Sequence, residues 1–324
     1  MAATKKIAAI ICIAGLLFLA ACAGISDKKE RSASIINTLS ADGKTDTYDL
    51  IKSLGFNYET PDDPRHGNHQ NMKHITQVLD PFLNKHVFAM KLCHNHNATD
   101  TWTNRAVTTG QLNDLANSQK VDRQRNEFKT DASSPEWGKA KNGDTVIYRW
   151  KFKLQEGLMA SSNFTHLFQL KAVGGDESQP IITMTARRRT GGNPTQEMQL
   201  IYRYASDSDI DRNRYLVELI PLDDFYGEWV QAVLKVTYSD VNPALDFTAA
   251  RMRDNKELMR YVYNAAEWKI EVPFRTYRRG NTFVRPKWGI YRQILRDGGQ
   301  PVTGPLRDET IFVADMEIET FARR

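Results

Sequence analysis

From residue 86 onward, the chain is a succession of short segments in which apolar and polar residues alternate. The segments are rich in Val, Ile, Phe, Tyr and Thr, and turn residues such as Asn142-Gly143-Asp144 and Gly174-Gly175-Asp176 separate them. This pattern predicts β-strands joined by tight turns. The predicted strands cover residues 86–96, 121–130, 144–154, 164–173, 180–189, 197–204, 214–220, 228–238, 245–253, 258–263, 283–295 and 310–321.

Helical patterns are few, and we expect helices only at 110–118 and 70–80. Many strands without helices between them exclude an α/β sheet and favour two packed antiparallel sheets. The prediction is therefore an all-β fold, a jelly roll of the concanavalin-like sandwich type with few short helices. We expect this domain to cover residues 61–324, because residues 22–60 are polar and lack strong periodicity, as is typical of a tether.

The N-terminal segment combines Lys5 and Lys6 with an apolar run at 7–17 and the sequence Leu19-Ala20-Ala21-Cys22. That order is typical of a bacterial signal peptide that ends in a lipoprotein box. The apolar run is shorter than the about 20 residues that a membrane-spanning helix needs. We therefore expect removal of residues 1–21, acylation of the Cys22 thiol, and an extracytoplasmic protein that is lipid-anchored to a bacterial membrane.

The composition of the expected mature chain excludes an intrachain disulfide and a strong overall charge. Cys12 lies in the expected signal peptide and Cys22 is expected to carry lipid, which leaves Cys93 as a small buried thiol. Loss of Lys5 and Lys6 lowers the formal net charge from +5 to +3. So mild a charge, on a chain expected outside the cytoplasm, does not favour nucleic-acid binding. The charge distribution therefore has to be analysed strand by strand.

Three predicted strands place polar side chains on the face opposite their apolar residues, because side chains alternate across a strand. The core face is marked by Phe128 in the first strand, by Phe168 and Leu170 in the second, and by Trp288, Ile290 and Ile294 in the third. The opposite face then carries Arg123, Arg125, Glu127, Lys129, Leu167, Gln169, Lys171, Lys287, Gly289, Tyr291 and Gln293. His166 shares the parity of Phe168, so we expect a packed structural histidine unless a β-bulge changes its register.

Gly289 is an unusual residue for the middle of such a strand. Glycine weakens a strand unless something approaches its backbone closely. A sugar chain that lies across the sheet would be such a neighbour, and an ordinary solvated sheet face is the alternative interpretation.

Three short motifs on this face occur in the order Arg125-Asn126-Glu127, Gln169-Leu170-Lys171 and Lys287-Trp288-Gly289-Ile290-Tyr291. They resemble the Arg-x-Glu, Gln-x-His and Lys-x-Gly-x-Tyr strands of jelly-roll polysaccharide lyases, the alginate lyases, heparin lyase I and glucuronan lyases. The resemblance covers roughly residues 85–320. It implies an endo-type lyase that cleaves an acidic, uronate-containing polysaccharide by β-elimination.

The resemblance also implies roles for individual residues. Arg125 can bind a uronate carboxylate with a bidentate fork, and Gln169 can donate an amide hydrogen to the same group. Tyr291 is the expected proton shuttle. The lyase histidine is replaced by Lys171, which could be a base or a substrate clamp, so the identity of the base stays open. The remaining substrate-binding candidates are Lys287, Arg123, Arg187, Arg189, His94 and His96, and either histidine could instead be the missing base.

Two other function classes fit parts of the sequence. A surface glycan-binding lipoprotein could use the same groove without turnover, and Lys171 at the histidine position keeps that alternative open. A sandwich-fold glycoside hydrolase is suggested by the alternating carboxylates of Asp315-Met316-Glu317-Ile318-Glu319, although half-buried strands commonly alternate in this way.

No metal or cofactor is predicted, although three groups of residues raise the question. Zinc could bind His66, His69, His94 and His96, but no third acidic or cysteine ligand stands at a regular spacing. Calcium could bind Asp176 and Glu177, or Asp207, Asp209 and Asp211, but solvated turns explain these acids better. Sugar stacking could involve Trp102, Trp137, Trp229 and Trp268, although tryptophans are more often buried.

The lipid anchor can be tested with the variant Cys22→Ser. We expect it to remain unacylated and to move from the membrane fraction to the soluble or unprocessed fraction, because only a thiol accepts the lipid. Labelling with a fatty-acid analogue, followed by fractionation, measures both effects. Cys12→Ser is the matched control and should still be acylated; an acylated Cys22→Ser variant would contradict the assignment.

Overall fold

The computed structural model describes residues 34–63, 73–93, 115–117, 120–190, 195–206, 213–268, 273–295, 302 and 306–321. Within these ranges, the chain forms sixteen strands, one short α-helix and three turns of 3₁₀-helix. The helix is α1 (Thr47–Ser53), and it begins at Asp46, whose carboxylate accepts hydrogen bonds from the amides of Tyr48 and Asp49. Among the described helices, none has the length and apolarity needed to cross a lipid bilayer.

The strands fall into two sheets. Sheet A has the order β14-β13-β12-β7-β16-β4-β3, with β1 also paired to β16, and sheet B has the order β11-β10-β9-β8-β15-β6-β2, with β5 also paired to β6. The strands of sheet A are β1 (Ser34–Leu39), β3 (Ile75–Asp80), β4 (Lys85–Leu92), β7 (Thr145–Leu154), β12 (Trp229–Thr237), β13 (Ala244–Arg251), β14 (Lys256–Val262) and β16 (Glu309–Phe321). The strands of sheet B are β2 (Asn57–Glu59), β5 (Leu115–Asn117), β6 (Lys120–Lys129), β8 (Thr165–Val173), β9 (Ile182–Arg188), β10 (Gln196–Arg203), β11 (Asn213–Pro221) and β15 (Phe283–Gln293).

All pairs of neighbouring strands in both sheets are antiparallel. The prediction of an all-β jelly-roll sandwich with few short helices is therefore confirmed. The predicted strands from 121–130 onward each correspond to a strand of the structure. The segment 86–96 contains most of β4, and its residues 94–96 lie outside the described part of the chain.

The core lies between the two sheets and is rich in aromatic contacts that join them. Trp150 of sheet A stacks on Phe168 of sheet B with 4.4 Å between ring centroids. Phe88 and Phe128 meet edge to face at 4.8 Å. These side chains are almost fully buried, and burial of such rings is the main favourable term in folding. The alternation of apolar residues in the sequence predicted this interior correctly.

The two predicted helices are wrong where the structure describes them. Residues 75–80 form β3, which pairs with β4 across a turn that contains Asn84 at φ +50°. Residues 115–117 form β5, which pairs with β6. In both places, hydrogen bonding to a neighbouring strand overrides a weak local helical pattern.

The predicted tether at 22–60 is also too long, because residues 34–60 belong to the sandwich. β1 pairs with β16 in sheet A, and β2 pairs with β6 in sheet B. Phe56 and Ile51 belong to the buried core. The elements are short, and only a few of their residues are apolar, so periodicity gave no signal for them.

Gly289 contacts the protein's own backbone, which corrects the interpretation that a sugar approaches it. Its φ is +149°, and a Cβ at this position would lie 2.1 Å from the carbonyl oxygen of Asn126 and 2.7 Å from the Cα of Glu127. β15 can therefore lie against β6 only with a residue that lacks a side chain here.

Gly289→Ala is expected to lower the free energy of unfolding by about 3 kcal/mol or more, or to prevent folding, because the new methyl group overlaps backbone atoms that cannot move aside. Gly143→Ala is the matched control: Gly143 also has a positive φ, +89°, but a Cβ there meets nothing within 4 Å. It should cost only about 1 kcal/mol. Urea unfolding of both variants measures the difference, and equal costs would contradict this explanation.

Candidate active site

A cavity of about 440 Å³ lies on the face of sheet B that points away from the core. Among the described residues that line it, seven are basic and one is acidic. The basic residues are Arg123, Arg125, Lys171, Arg187, Arg203, Arg285 and Lys287, and the acidic residue is Glu59. The mild net charge of the chain therefore conceals a strongly cationic cavity.

The structure brings most of the candidate residues together in this cavity. Its lining includes Arg123, Arg125, Gln169, Lys171, Arg187, Lys287 and Tyr291. Arg189 does not line it; this exposed side chain is paired with Glu197 at 2.7 Å and Glu218 at 3.0 Å. Cys22, His94 and His96 lie outside the described residues.

One row of residues runs across four neighbouring strands of sheet B, and its first three members line the cavity. Arg125 of β6 is paired in register with Tyr291 of β15, Tyr291 with His166 of β8, and His166 with Thr185 of β9. The adjacent row contains Lys287 opposite Gln169, and Gln169 opposite Thr183. Residues directly opposite on one face lie close enough to interact.

His166 faces the cavity, so the prediction that it packs in the core is wrong. The pairing of β8 with β9 shifts between His166 and Phe168, and the pairing of β8 with β15 shifts between Tyr291 and Trp288. As a result, Leu167 and Phe168 are both buried in the core, and the parity of His166 is reversed. A bulge has this effect because one extra residue changes the face of every residue beyond it.

The phenol of Tyr291 is held between two guanidinium groups. Its oxygen accepts a hydrogen bond from Arg123 Nη1 at 3.0 Å. The guanidinium of Arg125 lies 4.1 Å from the centre of the ring, and the ring of Phe164 lies 5.1 Å away on the cavity side of the sheet. A phenol that faces a cavity can give up a proton to a bound molecule and take it back.

A buried ion cluster supports this part of the cavity. Glu59 contacts Arg125 Nη1 at 2.5 Å, Lys129 Nζ at 2.7 Å and Lys287 Nζ at 2.9 Å. Glu127 contacts Lys287 Nζ at 2.7 Å and Arg125 Nε at 3.3 Å. Three cations thus share two carboxylates, which holds Arg125 and Lys287 in place and leaves one positive charge in excess.

Sequence reasoning missed Glu59. It belongs to the three-residue strand β2, inside the segment interpreted as a tether, and nothing local distinguishes it from a solvated acid. Burial acts to raise the pKa of Glu59, but Lys287, Arg125 and Lys129 together hold that pKa well below its usual range. Glu59 is therefore an ionised part of the site rather than a proton donor.

Gln169 and Lys171 are neighbours on β8 with different bonding. The buried amide of Gln169 donates to Glu127 Oε1. Lys171 Nζ donates to the carbonyl oxygens of Glu177 and Ser178. Burial, followed by the charges of Lys287 and Arg125, lowers the pKa of Lys171 to about 8. Lys171 is therefore mostly charged at neutral pH and can bind an anion.

The carboxylates of 315–319 belong to sheet A and form ion pairs. Asp315 lies 2.5 Å from both Lys85 Nζ and Lys151 Nζ, and Glu319 lies 2.7 Å from Arg149 Nη2. None of them lines the cavity. A glycosidase needs two carboxylates that face one glycosidic bond, and this arrangement gives the hydrolase interpretation no support.

The described residues contain no group of three or more His, Cys, Asp or Glu side chains that could hold a metal ion. Asp176 and Glu177 accept backbone hydrogen bonds from Ser206 and Gly174, as turn residues do.

Cys93 is buried, as expected. Trp229 and Trp268 are buried and Trp137 is half-buried. The other candidates lie outside the described residues: His66, His69, Asp207, Asp209, Asp211 and Trp102.

The sequence matches no protein-family profile and no curated protein at a significant level. Solved structures with similar folds exist. The endo-β-1,4-glucuronan lyase from the fungus Trichoderma reesei is 14% identical and has a TM-score of 0.46, over 81% of this chain and 93% of the lyase. The exolytic alginate lyase from Zobellia galactanivorans is 8% identical and has a TM-score of 0.47, over 77% of this chain and 88% of the lyase.

An alginate lyase solved in complex with an alginate trisaccharide is 10% identical and has a TM-score of 0.46, over 90% of this chain and 99% of the lyase. All three of these solved proteins are polysaccharide lyases.

Glu59→Gln is expected to lower the free energy of unfolding by about 3 kcal/mol at pH 7, because it leaves buried cations without their counter-charge. The pKa of Glu59 is lowered by folding, so its contribution is complete above about pH 4.5 and is lost as the pH falls through the lowered value. The difference in Tm between wild type and variant should therefore shrink below pH 4.5. Glu136→Gln, at an exposed ion pair, is the control with little effect at either pH; a difference independent of pH would contradict the ionised state of Glu59.

Proposed function

We propose that the protein is a polysaccharide lyase that cleaves a uronate-containing glycan by β-elimination. One observation carries the proposal: a single cavity combines a strong excess of basic side chains with Tyr291, a proton-transferring phenol held between Arg123 and Arg125. An excess of cations attracts an anionic chain, and the phenol supplies the proton transfer that elimination needs.

The chemistry requires that the C5 proton of a uronate becomes acidic. A cation or an amide donor at the C5 carboxylate stabilises the enolate-like intermediate that forms when this proton leaves. Gln169 and Lys171 are suited to this contact, since both line the cavity beside the row that contains Tyr291. Arg125 and Lys287 contribute through the field of their ion cluster, because Glu59 and Glu127 already occupy several of their donor hydrogens.

The basic residues farther from Tyr291 fit additional sugar units. Arg187 of β9 and Arg203 of β10 line the same cavity on the other side of β8. A polyuronate carries a carboxylate on each such unit, so several cations along the cavity can contact one chain. We propose that this glycan is degraded outside the cytoplasm by a protein anchored through lipid on Cys22.

A glycan-binding protein without turnover is the second candidate. It is favoured by the pairing of Arg125 and Lys287 with carboxylates of the protein, and by Lys171 at the position where similar lyases carry histidine. The same cavity would then retain an anionic glycan without cleaving it.

An absorbance assay separates the two candidates. The purified chain is incubated with a panel of uronic-acid polysaccharides, and the ultraviolet band of unsaturated uronates is followed. A lyase produces rising absorbance, a hydrolase produces reducing ends without absorbance, and a binding protein retains glycan without either signal. Binding without absorbance on every glycan of the panel would overturn the lyase proposal.

For the glycan that is cleaved, Tyr291→Phe is expected to lower kcat about 100-fold or more, because the variant keeps the ring but loses the proton that is transferred. KM should change little. Tyr263→Phe is the matched control, since Tyr263 packs on Phe274 and does not line the cavity; it should leave kcat within about twofold. Unchanged kcat in Tyr291→Phe would exclude the phenol from the reaction.

A further inference from the structure

We propose that Tyr215 forms a sugar-binding position at the outer margin of the cavity, where its ring stacks on one unit of an anionic glycan and Arg187 binds the carboxylate of that unit. The inference rests on the proposed function in taking an acidic glycan as the ligand. It deepens that function by adding a position away from the reacting bond. Tyr215 belongs to β11, the edge strand of sheet B, and sequence reasoning did not single it out.

The cavity crosses the whole width of sheet B. Its lining includes at least one residue from each of the strands β2, β6, β15, β8, β9, β10 and β11, which follow one another in this order across the sheet. The contribution of β11 is Asn213. Side chains two positions apart on a strand share a face, so Tyr215 lies on the cavity face of β11 beside Asn213. A glycan that crosses the strands within the cavity is therefore led toward Tyr215.

Strand pairing places Tyr215 at the end of a row of cavity residues. The members of this row are paired in register across five neighbouring strands, and they are Lys287, Gln169, Thr183, Ile201 and Tyr215. The first four line the cavity. Since neighbouring strands lie about 4.8 Å apart, the three steps from Gln169 to Tyr215 amount to about 14 Å. A pyranose unit spans roughly one strand spacing, so Tyr215 can contact a unit about three positions from the one that Gln169 contacts.

The ring of Tyr215 has the exposure that stacking requires. It is 43% exposed, whereas the neighbouring Leu216 packs against the core on the other face of β11. Among the described residues, the other exposed large aromatic side chain is Phe82, in the turn between β3 and β4 of sheet A. A tyrosine ring offers an apolar face to the C–H groups of a pyranose and a hydroxyl to its polar edge. Tyr215 differs from Phe82 in combining this exposure with a place beside the cationic cavity.

Arg187 supplies an uncompensated positive charge beside this ring. Its half-buried side chain lines the cavity, and its Nε donates to Gln199 Oε1 at 3.0 Å. No carboxylate in the described part of the chain forms an ion pair with it, in contrast to Arg125 and Lys287, which both pair with one glutamate. Burial lowers the pKa of Arg187 and the phenol of Tyr215 acts to raise it, as expected for side chains that lie near each other. A carboxylate of the ligand would supply the missing counter-charge.

The arrangement makes binding depend on the length of the glycan. A short oligosaccharide at Gln169 and Tyr291 does not reach β11, whereas a longer one also contacts Tyr215 and Arg187. These contacts are the same before and during cleavage because they lie far from the reacting bond. They therefore lower KM for long substrates and leave kcat unchanged.

The test uses the full chain in mild detergent and a series of oligosaccharides, up to the hexasaccharide, from a polyuronate that the wild type cleaves. Tyr215→Ala should raise KM for the hexasaccharide about 10-fold through loss of the stacked ring, with kcat unchanged. For the shortest oligosaccharide that is cleaved, KM should stay within about twofold. Tyr215→Phe keeps the ring and should restore the KM of the wild type. Phe82→Ala removes an exposed ring from sheet A and is the matched control without effect.

A hexasaccharide KM that stays within about twofold in Tyr215→Ala overturns the proposal, as does an equal rise for the shortest and the longest substrate. Arg187→Gln should also raise KM for the hexasaccharide about 10-fold, and it should weaken the dependence of that KM on salt concentration, because a charge contact is lost. Tyr215→Ala should leave the salt dependence as it is. An Arg187→Gln variant with the KM and salt dependence of the wild type would contradict the assignment of Arg187 to this position.

Failure of the lyase proposal gives a different result from failure of this binding position. If the wild type cleaves no glycan, the lyase proposal fails, and titration calorimetry with hexasaccharides of glucuronate and of mannuronate tests the position. Tyr215→Ala should then lower the affinity about 10-fold, and Phe82→Ala should not change it. Equal affinities of wild type and Tyr215→Ala, or a wild type that binds neither hexasaccharide, overturn the position at Tyr215.

Discussion

The contact between Gly289 and the backbone of Asn126 and Glu127 is the constraint on which the candidate site depends. It lets β15 lie against β6 with Tyr291 opposite Arg125, and it stands where the register of β15 against β8 shifts. Beyond that shift, His166 lies opposite Tyr291 and faces the cavity instead of the core. One irregular position in an otherwise regular sheet thus brings an imidazole, a phenol and a guanidinium into a single row.

Charge compensation around that row sets its chemistry. Ion pairs with Glu59 and Glu127 hold the side chains of Arg125 and Lys287 in place. The positive charges of these two side chains therefore have fixed positions in the cavity wall. Burial, together with the positive charges of the cavity, lowers the pKa of His166 and keeps its ring unprotonated at neutral pH. The cationic cavity and the neutral imidazole are therefore two features of one buried, basic site.

The motif that resembles the lyases is only partly repeated in this chain. Lys171 replaces histidine two residues after Gln169, while His166 reaches the same cavity three residues before it through the bulge in β8. The site therefore still contains an amide, a phenol, cations and an imidazole. The carboxylates of β16, by contrast, are held in ion pairs on sheet A and take no part in this arrangement.

The sequence by itself determined the fold class, the strands from residue 121 onward and the common face of Arg125, Gln169 and Tyr291, because strict alternation along long strands is a local property of the chain. Only the tertiary structure decided the roles of β1, β2, β3 and β5, the place of Glu59, and the face of His166. Those features depend on pairing between distant strands: a three-residue strand has too few residues for a detectable period, and a bulge reverses parity without any mark in the local pattern.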